Sequence, residues 1–176
     1  KGLRQKVGLL VESGEVRDVM QLATLIGFGA SAVNPYLAFE IIKDLIRQGN
    51  LESVEKSDVA FENYIEAMKK GLLKIMSKMG VSTIRSYKGS QIFEAIGLSE
   101  DFINRYFPGT PTRINGVGLS RISKDVELRH KAAYEDVPGK SELLDSGGFI
   151  HYRKSSEKHL MSPEAVVSIQ NAVRQN

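Results

Sequence analysis

Val7-Gly8-Leu9-Leu10-Val11-Glu12-Ser13-Gly14 and, one helix length later, Gly27-Phe28-Gly29-Ala30-Ser31-Ala32-Val33-Asn34-Pro35 decide how this chain is read. The run Val7 to Val11 is almost wholly apolar, as expected of a strand buried on both faces. Glu12-Ser13-Gly14-Glu15 breaks it. Val16, Val19, Met20, Ala23 and Ile26 then recur at helical spacing until Gly27-Phe28-Gly29 stops the helix. Ala30 to Val33 reads as a second short strand. Asn34-Pro35 predicts a helix start, because Asn can cap and Pro suits the first helical position. Leu37, Ala38, Ile41, Ile42, Leu45 and Ile46 carry that helix to Gly49. Strand, helix, strand, helix with short links is the βαβ pattern of a parallel sheet. Two strands do not make a stable open sheet, so further strands are expected upstream of Lys1.

From Asp58 the pattern turns helical. Phe61, Tyr64, Ile65, Met68, Leu72, Ile75, Met76 and Met79 form one stripe ending at Gly80. Val81 to Ile84 is expected to be extended, Gly89 to Ile96 helical and closed by Gly97. Ser99 should cap a helix running to Phe107, Pro108 to Pro111 should be loop, and Ser120 to Tyr134 a further helix. Residues 135 to 148 read as an exposed connection. Phe149 to Arg153 and Lys158 to Met161 are a candidate hairpin. Ser162-Pro163 should open a last helix through Val173. The expected fold is α/β: a partial parallel βαβα unit, then a mainly helical segment with a candidate small β-hairpin. The corresponding division is 1–57, 58–136 and 137–176.

Composition removes several functions. No Cys occurs, which excludes disulfides, thiolate catalysis, and zinc or iron–sulfur clusters held by cysteine. No apolar run approaches the roughly 20 residues of a membrane-spanning helix, and a core poor in aromatics and lacking Trp must be mainly aliphatic. His130, His151 and His159 fall in no metal-binding spacing. The net charge is only +3, yet no acidic residue lies between Glu66 and Glu94, where Lys69, Lys70, Lys74, Lys78, Arg85 and Lys88 all fall. Lys70, Lys74 and Lys78 are four apart and form one exposed column beside the apolar stripe. With Arg85 and Lys88 they are the candidate face for an acidic neighbouring domain, for nucleic acid or for phosphorylated ligands. A solvated helix face is the simpler explanation.

Ligands of parallel sheets gather at the carboxyl ends of strands, which selects Glu12, Ser13 and Asn34 as candidate site residues. Asn34 is also explained as a helix cap, and Glu12 has no evident acid–base partner. Gly27-Phe28-Gly29 follows a helix, the wrong context for a dinucleotide fingerprint. The stretch Thr110 to Gly116 reads as a turn, with anion binding through backbone N–H groups and Arg113 as the functional alternative. No constellation of nucleophile, base and acid is present.

Several blocks of the chain resemble, in order, the large chain of glutamate synthase. They are Gly2-Leu3-Arg4 with Val7 to Glu15, Ile26 to Glu40, Lys70 to Thr83 and Ser86 to Ala95. Phe107, Gly109-Thr110, Arg113-Ile114, Gly116, Gly118-Leu119, Arg129-His130, Gly147-Gly148, Arg153, His159, Pro163 and Gln170 continue the match. The resemblance implies the end of the central domain and the approach to the flavin barrel. The implied parent is a cytoplasmic enzyme that makes L-glutamate from glutamine and 2-oxoglutarate, using FMN and a 3Fe-4S cluster. Its implied partners are its own remaining domains and a small electron-donor subunit or ferredoxin. The catalytic cysteine, the cluster cysteines and the main flavin loops have no counterpart here, so no catalytic, cofactor or metal residue is transferred. The expected role is a non-catalytic connecting fragment, with a stand-alone basic module for nucleic acid or phosphorylated ligands as the alternative. Met20-Gln21 stands where the family usually has two histidines, Asn115 where it has Gly, and Pro111 at a small-residue position.

Overall fold

Leu10–Glu12 forms β1 and Ala32–Asn34 forms β2, paired in parallel with Leu10 opposite Ala32 and Glu12 opposite Asn34. A computed structural model describes residues 6–51, 57–134, 151–154, 156 and 158–175. Helix α1, Val19–Gly27, connects the two strands. It starts at Val19 because Asp18 and Gln21 close a capping box. The Asp18 carboxylate accepts the Gln21 N–H at 2.9 Å, and Gln21 Oε1 accepts the N–H groups of Asp18 at 3.1 Å and Arg17 at 2.7 Å. Gln21 therefore has a structural use at one of the two positions where histidines were expected. The helix ends in a Schellman turn. Gly29 sits at φ 110°, its N–H reaches the Ile26 carbonyl, and the Ala30 N–H reaches that of Leu25, both at 2.9 Å.

Helix α2 spans Tyr36–Arg47 and α3 spans Ser57–Lys78. The expected cap at α2 is corrected: Pro35 is the N-cap, with no side-chain hydrogen bond, and Asn34 remains the last residue of β2. Asn34 Nδ2 donates instead to Glu12 Oε2 at 2.9 Å, a charge-assisted bond across the strand pair. Helix α3 packs on both α1 and α2. Gly71 makes the first contact possible, since a Cβ there would stand 2.5 Å from both Val19 methyls. Phe39 of α2 meets Phe61 and Tyr64 of α3 edge-on, with centroids 5.1 and 5.7 Å apart. Packing thus runs across the expected division at residue 57.

The core gathers Ala23, Met76 and Tyr87, with Ile26, Leu72, Ile75, Val81 and Phe93 against them. Tyr87 ends the short helix α4, Ile84–Tyr87, capped by Thr83. Its buried hydroxyl donates to the Ala23 carbonyl at 3.0 Å, which removes the cost of an unpaired polar group. The extended stretch expected at Val81 to Ile84 therefore ends at Thr83.

The helix expected over Gly89 to Ile96 does not form. Gly89 and Gln91 adopt φ values of 73° and 52°, which no right-handed helix accommodates. Phe93 is drawn into the core, 5.8 Å from the Phe28 ring and 6.4 Å from that of Tyr87. Ala95–Leu98 is instead strand β3. Helix α5, Glu100–Tyr106, follows with Ser99 as its cap, as expected. Thr112–Val117 is then strand β4, parallel to β3, where a turn was expected. Ala95 pairs with Thr112, Ile96 with Ile114 and Leu98 with Val117, with two register irregularities. The Ala95 N–H donates to the Pro111 carbonyl at 2.9 Å, so Pro111 opens this pairing through the one backbone group it has to offer.

Helix α6, Leu119–Tyr134, is close to the expected helix. Helix α7 is Pro163–Arg174, with Ser162 as cap and Pro163 in the first turn, again as expected. The chain divides into two compact units, Lys1–Lys124 and Asp125–Asn176. Of the candidate hairpin, Phe149, Ile150 and part of the turn lie outside the described residues; the described residues 151–154 and 158–161 carry no strand. The expected connection over 135–148 also lies outside them.

Candidate interdomain face

The four-residue spacing of Lys70, Lys74 and Lys78 becomes a real column because α3 is continuous from Ser57 to Lys78. All three lysines are exposed. Leu73, 62% exposed, lies beside them on the same side of the helix. Lys70 Nζ is 3.7 Å from Glu66 Oε1 one turn earlier, an exposed pair that contributes about 0.5 kcal/mol or less. Lys78 stands in the last turn, where a cation complements the carbonyl end of the helix dipole.

Arg85 and Lys88 are placed differently. Arg85 lies exposed on α4. Lys88 Nζ donates to Ser31 Oγ at 2.6 Å, and the same oxygen accepts the Leu9 N–H at 3.2 Å. Lys88 thus ties the segment after α4 to the amino ends of β1 and β2. Among the described residues, no hydrogen bond or ion pair joins Arg85 or Lys88 to the α3 column.

Glu12, Ser13 and Asn34 do come together at the carboxyl ends of β1 and β2, but their polar atoms are used on each other and on the local backbone. Besides the Glu12–Asn34 bond, the Ser13 N–H donates to the Asn34 carbonyl at 3.2 Å, and Ser13 Oγ accepts the Glu15 N–H at 3.1 Å. These bonds join the strand ends to each other and to the following turn. The anion-loop alternative over Thr110 to Gly116 is likewise replaced by bonds within the chain. Arg113 Nε stands 3.6 Å from Glu94 Oε1. Asn115 Oδ1 accepts the N–H groups of Glu100 at 3.2 Å and Gly116 at 3.0 Å. Asn115 therefore caps α5 from β4, which gives the departure from the expected Gly a physical reason.

The second unit holds a shallow cavity of about 340 Å³ lined by Tyr152, Arg153, Lys158, His159, Ser162 and Glu164. Sequence reading did not select it, because no spacing of these residues marks a site. The start of α7 beside it is already served by its own residues. Ser162 Oγ accepts the Ala165 N–H at 3.2 Å, and bonds from the Ser162 hydroxyl and its own backbone hold the Glu164 carboxyl below its usual range. Among the described residues, no three His, Asp or Glu side chains converge as metal ligands, and no helix is long and apolar enough to cross a membrane.

Residues 1–99 match the family described as the glutamate synthase central domain. The large chain of glutamate synthase [NADPH] from Bacillus subtilis is 44% identical over 177 residues, covering 100% of this chain and 11% of that protein. Glutamate synthase [NADH] from Schizosaccharomyces pombe is 43% identical over 98% of this chain and 8% of its own length. The ferredoxin-dependent glutamate synthase of Pyropia yezoensis is 39% identical over 99% of this chain and 12% of its own. The 176 residues thus span about a tenth of the length of these relatives, and nearly all of them align. The chain belongs to the glutamate synthase central domain family.

Proposed function

We propose that these residues are a non-catalytic, connecting part of a glutamate synthase large chain. The observation that supports this reading is the match of nearly the whole chain to a small part of proteins that are several times longer. The division proposed makes 1–57 the C-terminal part of an α/β central domain, 58–136 a mainly helical segment, and 137–176 a connection with a candidate hairpin and a terminal helix. The parent's activity is the synthesis of L-glutamate from glutamine and 2-oxoglutarate by amide transfer and reduction, in the cytoplasm. FMN and a 3Fe-4S cluster carry the electrons there, supplied through a small subunit or ferredoxin. The residues present do not fit either group: the chain has no cysteine to hold a cluster, and the two phosphate-like stretches are a helix stop at Gly29 and a strand at Thr112–Val117.

Within that reading, the column Lys70, Lys74 and Lys78 with Leu73 is a docking face for another part of the large chain. Its test is charge reversal in the intact large chain. Lys74→Glu combined with Lys78→Glu should lower glutamine-dependent glutamate synthesis several-fold while the fold and flavin content stay unchanged. Unchanged synthesis would remove the docking role. The alternative, a stand-alone basic module for nucleic acid or phosphorylated ligands, would use the same exposed lysines, with Lys88 engaged by Ser31. It predicts oligonucleotide binding that weakens steeply with salt. Absence of a shift at low salt disposes of it.

A further inference from the structure

Asn115-Gly116 is the single Asn-Gly pair in the sequence, and it falls at an irregular point of the second sheet. Ile114 pairs with Ile96 and Val117 with Leu98, so Asn115 and Gly116 together stand opposite Gly97 alone. This is a bulge, which leaves the pair outside the regular ladder. Both residues are exposed. Asn115 Oδ1 accepts the Gly116 N–H at 3.0 Å, which folds the side-chain amide back onto the next peptide nitrogen. The same oxygen accepts the Glu100 N–H at 3.2 Å. Gly116 has no Cβ to shield its own nitrogen.

We propose that Asn115-Gly116 is a self-modification site, where the chain deamidates without an enzyme and the second strand pair loosens as a result. The Gly116 nitrogen, after losing its proton to a solvent base, attacks Asn115 Cγ. The N–Cγ bond forms, the Cγ–Nδ2 bond breaks, and the amide leaves as ammonia with a proton returned by solvent, giving a cyclic succinimide. Water then opens the ring at either carbonyl, to aspartate or to isoaspartate. Negative charge develops on Oδ1 during the attack, and the Glu100 N–H is already aimed at that atom. The contact between Oδ1 and the Gly116 nitrogen holds the reacting groups close beforehand. Aspartate adds a carboxylate beside a helix start that already carries Glu100 and Asp101. Isoaspartate adds a methylene to the β4 backbone, which moves Val117 out of register with Leu98. The proposal does not depend on the functional reading above.

Incubation of the intact large chain at mildly alkaline pH, followed by peptide mapping with isoaspartate detection, tests it. Asn115 should deamidate at least about tenfold faster than Asn50, Asn63 and Asn104, with isoaspartate among the products. The folded chain should react at Asn115 no more slowly than the same chain unfolded in urea. A folded rate lower by about tenfold would mean that the bulge protects the pair, and would overturn the proposal. In the aged protein the Ile96 and Leu98 amides should exchange faster while those of α1 keep their rates. Unchanged exchange after conversion would overturn it as well. Asn115→Gly removes the reactive amide, so its Ile96 and Leu98 amides should not change on ageing. If they do, another lesion loosens the strands and the proposal fails.

Discussion

The two parallel strand pairs of Lys1–Lys124 share a plan and differ in what supports them. In each, a short helix joins two short strands. Around the first, α1 is held against α3, and the seam contains the buried trio Ala23, Met76 and Tyr87. The second, β3–α5–β4, has Ile103 as its one fully buried side chain, and α5 leans chiefly on its own two strands. Its register shifts twice, and Ile96 is 69% exposed. A parallel pair with a helix on one side is only half covered, and a long neighbouring helix gives the first pair a core that the second lacks. The second depends more on local devices: the Ser99 cap, the Asn115 bond to Glu100, and the close approach of Gly116 to Gly97.

The largest difference should come from the seam. Met76→Ala removes a buried side chain from contact with Ala23 and Tyr87 and should cost about 2–5 kcal/mol, measured by urea denaturation. A loss below about 0.5 kcal/mol would mean that α3 is not what supports the first pair. Gly116→Ala acts on the other side of the comparison. Its Cβ would fall 2.1 Å from the Gly97 carbonyl oxygen, a backbone atom that cannot swing aside. It should cost about 1–3 kcal/mol and speed exchange of the Ile96 and Leu98 amides while those of α1 stay protected. Equal loosening of both regions would dissolve the distinction. Asn115→Gly removes the bond to the Glu100 N–H and should cost about 1 kcal/mol, again confined to the second pair.

The smallest effect depends on pH. Burial raises the Tyr87 phenol above its ordinary value of 10.0. Above pH 10 the unfolded chain releases this proton while the folded chain retains it, so the unfolded state binds fewer protons and stability falls as pH rises. The contribution is fully present below pH 10 and is lost toward the higher folded value. Tyr87→Phe should flatten part of that fall, at a cost of about 1 kcal/mol for the lost bond to Ala23. The burial of Tyr64, with Asp18 nearby, should preserve a remaining slope. A slope identical to that of the parent sequence would show that Tyr87 is not buried as described.

The order strand, helix, strand, helix of the first pair was legible because its signals are local. Its strands lie later than the apolar runs suggest, at Leu10–Glu12 and Ala32–Asn34, and Leu10 is 70% exposed rather than buried on both faces. The second was hidden. Asn115-Gly116 interrupts the β-pattern of Thr112-Arg113-Ile114, and Gly89 to Ile96 has a helix-like composition that Phe93 overrides by entering a core formed by distant residues. The Asn34 cap was misread for a related reason: the choice between capping α2 and bonding Glu12 depends on a residue on another strand. The lysine column was legible from spacing alone. That Lys88 is engaged by Ser31, far away in sequence, was not.

The proposed role is support of a glutamate synthase large chain without its chemistry. It is tested most directly by assaying the purified 176-residue chain beside an intact large chain for glutamine hydrolysis and stoichiometric FMN binding. The prediction is that the intact chain does both and the short chain neither. Glutamine hydrolysis or one-to-one FMN binding by the short chain would contradict it.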